Sequence, residues 1–517
     1  MRLPFEPVGT HNGMIVQRAY LTDRKTSSEF WVAYKNTPDL KSLVTIKRET
    51  IKGTTYTAIY RYIRPDTRAF APAPPYQVKS RGILYPYQYR AVSSLVGALM
   101  RHGAAIDASD TGTGKTYQEL GTCVELKCRP AIICRKSGIP GWKRACIAFK
   151  IDPVFIVNWE KIRTGSTPYL KRNNNRFSWS LPKDTILIFD EAHMANNFRS
   201  LNGNLYMDSQ GILSISASAT MADSLPKLQP LLHVARIVDR FKFVDWAMSQ
   251  GCFRGAYKPI ESLDDDYDMS RMHSILFPEY GCRTRYDDPD VKSIFPDQIV
   301  TTRLIDIGVK NAVAQNREYE NLLTQAEEYK AKGETAESLV ANLRYRQHTE
   351  LLKAEPLAQI IEEHLDDGLS VCVFVNFRDT LSYLARRLKT TSLIYGGQES
   401  DKIPRETVIQ AFQSNRTRLV IVSMEAGGQS IDLHDTDGRF PRISLICPTY
   451  NALSLRQVLG RTKRAGGRSN TVAQICYAAG TVEEAVASSV NGKLTSMSAL
   501  NDGDLMESDL LKLGSIK

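Results

Sequence analysis

Two sets of short apolar runs, each interrupted by helix-like segments, constrain the fold of this chain more than any other feature. From Leu84 to about Arg236 the runs PAIIC, TILIF and GILSIS alternate with helical stretches; from about 370 to 478 the runs SVCVFV, TSLIY, RLVIVS, RISLIC and TVAQICYA do the same. Apolar runs without polar alternation suit strands covered on both faces, as in parallel sheets flanked by helices. The expected fold class is α/β, with two tandem lobes on parallel sheets. Between them a charged run from Asn316 to Leu365 carries Leu322, Leu323 and Ala326, then Leu339, Val340 and Leu343, at helical spacing. Such a run predicts protruding, solvated helices.

The remaining boundaries follow from composition. Residues 1–80 form a small β-rich accessory domain (EFWVAY, TTYTAIYRYI), ending in a proline-rich bridge from Arg64 to Gly82. The first lobe is expected over 81–236, the intervening helical segment over 237–368 and the second lobe over 369–480. A C-terminal helix and acidic tail fill 481–517. Trp31 and several tyrosines among basic residues leave two readings of the N-terminal domain open, a nucleic-acid or partner-binding module and an ordinary aromatic core.

At 517 residues, 42% apolar and 24% charged, the chain can bury about three cores and is neither disordered nor collagen-like. A net charge of +11 favours a polyanionic partner without proving one. No segment approaches the ~20 apolar residues of a membrane helix. The opening MRLPFEPVGTHNG lacks the apolar centre of a secretory signal. An intracellular protein, cytoplasmic, nucleoid or nuclear according to source, is therefore expected, with no membrane partner. The nine cysteines include no C-x-x-C pair and read as reduced core thiols; no zinc site is expected.

Ser109-Asp110-Thr111-Gly112-Thr113-Gly114-Lys115-Thr116 follows the apolar stretch GAAIDA and precedes the helix-forming YQELGTCVELK. Strand, glycine loop and helix is the context of a phosphate-binding loop. Its glycines let successive N–H groups point at phosphate oxygens, Lys115 neutralises the β and γ phosphates, and Thr116 offers a hydroxyl to Mg²⁺. Thr111, Gly112, Thr113, Gly114, Lys115 and Thr116 are thus the candidate triphosphate-binding residues. Ser109 stands where the general pattern has glycine, and a glycine-rich turn with a lysine also reads as an ordinary loop.

Downstream, the apolar run Leu187-Ile188-Phe189 ends in Asp190-Glu191-Ala192-His193, a DEAH sequence. Carboxylates at the C-terminal edge of a buried strand sit where ligands of open α/β sheets bind. Asp190 would hold Mg²⁺ and Glu191 would orient and deprotonate the attacking water. An exposed acidic turn is the alternative.

With these pieces in order, the chain resembles the superfamily-two helicases and translocases. Ser218-Ala219-Thr220 resembles the segment that couples hydrolysis to the nucleic-acid track, and His193 and Thr220 share that implied role with Ser218. Val422–Leu433 (VSMEAGGQSIDL) resembles motif V, and Gln457–Arg464 (QVLGRTKR) resembles the arginine-finger motif VI. The likeness is strongest to Swi/Snf-type double-stranded DNA translocases, in the annealing-helicase branch. Leu84-Tyr85-Pro86-Tyr87-Gln88 resembles the adenine-reading opening, IICRKSGIPGWKRAC motif Ia, and GRTKRAGG with GTVEEAV the family's ending. Gly467 stands where remodelling enzymes carry Gln, and MEAGGQS replaces the usual opening of motif V.

The resemblance implies two RecA-like lobes binding ATP and Mg²⁺. Gln88 would read adenine, and Gln457, Arg461 and Arg464 would join Lys115, Asp190 and Glu191 in catalysis. An arginine finger is worth about 10³–10⁵ in rate in the GTPase template. The implied track lies across Lys136, Ser137, Asn376, Arg378, Ser423, Gly427 and Gly428, held mainly through phosphates; each of these also reads as a turn or capping residue. The implied function is an ATP-dependent translocase on duplex or branched DNA. A strand-separating DNA or RNA helicase, and a nucleotide-gated subunit of a defence, packaging or repair assembly, remain alternatives. A viral or phage source suits the compact organisation. Protein partners are not legible.

Overall fold

The structure, a computed structural model, describes residues 3–483 except 4, 12–13, 37–39, 42–43, 52–53, 64–76, 79–81, 166, 223, 251, 255–259, 263–264, 287, 333–334, 399–402, 428–430, 449–451 and 482. The C-terminal helix and tail expected beyond 483, and most of the proline-rich bridge, lie outside the described residues. Two compact units emerge among the described residues: one holds those up to Ser109 and Lys115–Thr284, the other Asp110–Gly114 and those from Arg285.

At the N-terminus, β1 (Glu6–His11), β2 (Met14–Leu21), β3 (Val44–Ile51) and β4 (Thr54–Ile63) form an antiparallel sheet in the order β1-β2-β4-β3, with a helix over Arg24–Asn36. Period-two alternation sends Ala19, Ile59 and Val44 to a core completed by Phe30 of the helix, Leu3, Phe5 and Phe253. The opposite face carries Arg18, Tyr20 and Glu49. There the Glu49 carboxylate accepts from the Tyr20 hydroxyl at 2.6 Å, from Arg18 Nη1 at 3.3 Å and from the Tyr60 hydroxyl.

The first lobe is built on β5 (Ala104–Asp107), β6 (Arg129–Cys134), β7 (Phe155–Asn158), the hairpin of β8 (Leu170–Asn173) and β9 (Arg176–Trp179), β10 (Thr185–Asp190) and β11 (Ser214–Ala217). Two-residue strands β12 (Cys252–Phe253) and β13 (Glu261–Ser262) pair with each other, and β14 (Gly281–Cys282) follows. The main sheet runs β14-β5-β11-β10-β6-β7, every pair parallel. Both faces are covered, which explains the unbroken apolar runs. Along β10, Leu187 and Phe189 enter one core with Ile133 and Tyr206, while Ile186 and Ile188 enter another with Val92 and Trp142. Each fully buried side chain of this size contributes about 1.5–3 kcal/mol.

The second lobe repeats the plan with β15 (Gln298–Ile305), β16 (Ser370–Val375), β17 (Leu393–Ile394), β18 (Leu419–Ser423), β19 (Arg442–Ile446) and β20 (Thr471–Ala478). Its all-parallel order is β15-β20-β19-β16-β18-β17. Helices span Val309–Lys332, Thr335–Leu352 and Ala354–Asp366. The chain is therefore α/β, with two tandem RecA-like parallel-sheet lobes and a small antiparallel N-terminal domain.

The segment expected as intervening, 237–368, carries those helices and also one strand of each main sheet. β14 extends the first sheet beside β5, and β15 is the edge of the second beside β20, so the division falls between Thr284 and Arg285. Neither strand signals itself as a buried apolar run. β14 has two residues, and β15 is an edge strand in which Ile299 is 62% exposed and Thr301, Thr302 and Arg303 interrupt the apolar pattern. All nine cysteines are free thiols, eight of them buried, as expected of core residues.

Candidate active site and nucleic-acid loops

β5 ends at Asp107, and the chain turns through Ala108–Gly114 into the helix Lys115–Glu125. Gly112 and Gly114 take φ of 84° and 85°, left-handed values that residues with a Cβ rarely adopt. Asp107 Oδ1 accepts from Ser109 N at 3.0 Å, and Ser109 Oγ accepts from Thr284 N at 2.9 Å, so the loop's entry is tied to the segment after β14. Lys115 Nζ donates to the Ser109 carbonyl at 2.9 Å. Thr116, half-buried in the first turn of that helix, stands where the helix N-terminus favours anions. Gln88 is buried, and its side-chain oxygen accepts from Tyr85 N at 2.9 Å.

The acidic pair sits at the end of β10, which neighbours β11 with Asp190 opposite Ala217. That register puts Ser218-Ala219-Thr220 directly beside Asp190-Glu191. Trp142 Nε1 donates to Asp190 Oδ2 at 2.9 Å, and Trp159 Nε1 donates to the Asp190 carbonyl at 3.0 Å. Glu191 has a φ of 55°, a costly conformation for a residue with a Cβ and one that collects at functional sites. His193 Nδ1 lies 2.9 Å from Ser218 Oγ and 3.3 Å from Glu191 Oε2, and Ser218 Oγ accepts from Thr220 N at 3.2 Å. Arg135 Nη2 reaches His193 Nε2 at 3.4 Å.

Burial, reinforced by the neighbouring Glu191 charge, pushes the Asp190 carboxyl up. For Glu191 burial acts upward too, but the His193 hydrogen bond and the charges of His193, Arg135 and Lys115 outweigh it and hold the group down. A further carboxyl, Glu119, lies fully buried on the helix after the loop. Neither of its oxygens has a hydrogen-bond partner among the described residues. Burial raises it well above the usual range, and the charges of Asp107, Asp190 and Glu191 add to the effect.

Within the second unit, the loop residues Asp110–Gly114 adjoin the motif VI segment. Asp110 Oδ1 pairs with Arg456 Nη2 at 3.3 Å, and Asp110 Oδ2 accepts from Tyr286 N at 3.1 Å. The Tyr286 hydroxyl donates to the Thr111 carbonyl. A Cβ on Gly112 would stand 2.5 Å from Cδ of Arg464, so another residue would have to displace that side chain as well as strain φ. Thr113 Oγ1 donates to the Asp110 carbonyl at 2.8 Å. Arg461 and Gln457 are buried; Arg461 Nη1 and Arg464 Nη2 both donate to the Ile431 carbonyl, at 3.4 and 3.2 Å, and Arg464 pairs with Asp432 at 2.9 Å.

The expected track contacts fall at strand ends. Lys136, exposed, and Ser137 form a short turn after β6. Asn376 and the exposed Arg378 follow β16. Ser423 ends β18, its Oγ accepting from Ala426 N at 3.4 Å, and Gly427 closes the short helix Met424–Gly427. Gly428 lies outside the described residues. Asn376 spends both hydrogens of its side-chain nitrogen internally, on Glu350 Oε2 at 2.7 Å and the Pro448 carbonyl at 2.9 Å.

Trp142, Trp159, Tyr286, Arg456 and Glu350 escaped the sequence reading. Trp142 lies inside the quoted IICRKSGIPGWKRAC stretch, but its partner Asp190 is 48 positions away, and only the β6–β10 pairing brings them together.

Residues 352–466 match the helicase conserved C-terminal domain. A protein of Acanthamoeba polyphaga mimivirus, named as an ATP-dependent RNA helicase, is 28% identical over 457 residues, covering 82% of this chain and 84% of the relative. Among solved structures, the Sulfolobus solfataricus SWI2/SNF2 ATPase core in complex with dsDNA is 18% identical, covers 87% of this chain and 100% of its own, and gives a TM-score of 0.33. The core domain without that description of DNA is 19% identical, with coverages of 81% and 90% and a TM-score of 0.32.

Proposed function

We propose that this chain, an ATP-hydrolysing enzyme of the superfamily-two helicase type, is a motor that couples ATP turnover to movement along duplex or branched DNA. The observation that carries the reading is the link from His193 to Ser218 at 2.9 Å, which ties the acidic pair to the Ser-Ala-Thr segment through one hydrogen bond. A motor needs its hydrolytic carboxylates to respond to a second region of the lobe.

In this reading the N–H groups of the glycine loop and the helix N-terminus cradle the triphosphate, and Lys115 leaves the Ser109 carbonyl for the phosphate oxygens. Thr116 and Asp190 are hard oxygen donors of the kind magnesium prefers, and they would hold the ion, which supplies neutralisation of the triphosphate charge. Glu191 orients the attacking water and takes its proton; the neighbours that lower its pKa keep it ionised, at a cost in basicity. Gln88 reads the base. Arg461, Arg464 and Gln457 serve the transferring phosphoryl group, in the roles that their motif implies. His193, Ser218 and Thr220 relay the state of the site. Lys136, Ser137, Arg378, Ser423, Gly427 and Gly428 take the track through its phosphates, with little sequence preference.

Duplex DNA is favoured by the Swi/Snf-like run of motifs from Leu84 to GTVEEAV. The mimivirus relative's name favours a second reading, a helicase acting on RNA. Steady-state ATP turnover without polymer and with duplex DNA, single-stranded DNA or RNA separates them. Strongest stimulation by duplex DNA is expected; preferential stimulation by RNA overturns the DNA reading in favour of the second.

A further inference from the structure

Glu350 stands near the end of the helix Thr335–Leu352 and is 2% exposed, yet its carboxylate is saturated. Oε1 accepts from Asn376 N and Phe377 N, each at 3.0 Å; Oε2 accepts from Asn376 N at 3.0 Å and Asn376 Nδ2 at 2.7 Å. All of these donors belong to two consecutive residues after β16. Consecutive N–H groups ahead of a helix form a natural anion site, and here a side chain of the same lobe fills it. A phosphate therefore cannot be bound by these amides, and Asn376 has no spare side-chain hydrogen to offer it. The group left facing solvent is Arg378, the first residue of the helix Arg378–Arg387.

Arginine at that position opposes the helix dipole, so its placement does not serve helix stability. Its Nη2 instead donates to the Gly396 carbonyl at 2.7 Å, and its guanidinium lies 5.6 Å from the centre of the Tyr395 ring, so two neighbouring residues fix its position. Three positions after Glu350, Lys353 is 1% exposed and donates to Glu483 at 2.7 and 2.9 Å and to the Cys476 carbonyl at 3.1 Å. Glu483 in turn accepts from Ala478 N at 2.7 Å. The stretch from Glu350 to Lys353, at the junction of two helices, thus pins the loop after β16 with a buried anion and the end of β20 with a buried cation. Buried charges cost more in desolvation than apolar packing of the same volume, and their best-attested use is to specify one geometry.

We propose that Glu350 is a positioning residue for the track: it fixes the loop Asn376–Arg378 so that Arg378 meets a phosphate of the nucleic-acid backbone. This rests on the motor reading above. Glu350→Gln keeps the shape but replaces one acceptor oxygen by a donor facing N–H groups. In the full-length protein, with duplex DNA as the probe, the DNA concentration for half-maximal ATPase stimulation is expected to rise on the order of tenfold, while turnover at saturating DNA changes by less than about twofold. Amide hydrogen exchange at Asn376 and Phe377 should accelerate without DNA present. Arg378→Ala should raise the same half-maximal concentration, and adding Glu350→Gln to it should raise it no further. Asn376→Ala, which removes only the side-chain arm, should give a smaller effect in the same direction and covers the case in which Glu350→Gln does not fold. Unchanged exchange at the two amides, an unchanged half-maximal concentration, or additive effects in the double variant would each overturn the proposal. A wild-type protein that responds to no polymer would instead remove the motor reading on which it stands.

Discussion

Trp142 gives its indole hydrogen to Oδ2 of Asp190 at 2.9 Å, so an aromatic side chain from the helix Ile139–Phe149 orients the carboxylate at the end of β10. This bond opposes the effect of burial and of Glu191, which push the Asp190 carboxyl up. Trp142→Phe keeps most of the packing and removes the donor. The carboxylate becomes less ready to bind a cation, and the magnesium concentration needed for half-maximal ATP turnover is expected to rise on the order of tenfold. A magnesium titration of turnover checks this, and an unchanged midpoint would count against the metal role of Asp190.

The Ser218 side chain meets both His193, at 2.9 Å, and the backbone of Thr220, at 3.2 Å. Ser218→Ala cuts both bonds. The ratio of polymer-stimulated to basal turnover should fall on the order of tenfold, because one hydrogen bond to a coupling element carries about 1–2 kcal/mol. An unchanged ratio, measured on the same preparation with and without DNA, would break the proposed relay.

Glu119 carries a pH signature. Its folded-state carboxyl is raised well above the ordinary value of 4.5. The folded protein therefore holds a proton that the unfolded chain releases, and this group's contribution to stability is intact below pH 4.5 and is lost as pH rises. Glu119→Gln cannot lose it. The variant should match the wild type near pH 4 and exceed it at pH 8, read as a difference in thermal midpoint that grows as pH rises. A variant less stable than the wild type at pH 8 would show that this carboxyl has a stabilising partner.

The parts of this molecule that the sequence makes legible are those where one strand or one short segment contains the whole signal. β10 and β16 are buried on both faces, so their apolar runs announce them, and the residues at their ends (Asp190, Glu191, Asn376) inherit a predictable place. Lys115 and Thr116 are legible because glycines at positive φ must precede them. What was hidden depends on partners far apart in sequence. β15 looks polar because it is an edge strand, and Glu350 looks like one more charge on a solvated helix until Asn376, 26 positions later, folds against it. The place of Asn376 after an apolar strand points to the track, whereas its side-chain hydrogens are committed to Glu350 and Pro448.

The claim that hydrolysis drives movement along a duplex is tested most directly by displacement of a triplex-forming strand from duplex DNA. The wild-type protein with ATP should release the third strand. Glu191→Gln should bind ATP without releasing it, and Lys115→Ala should do neither. Release that proceeds equally without ATP or in Glu191→Gln, or an intact triplex in the face of brisk DNA-stimulated turnover, would contradict the account.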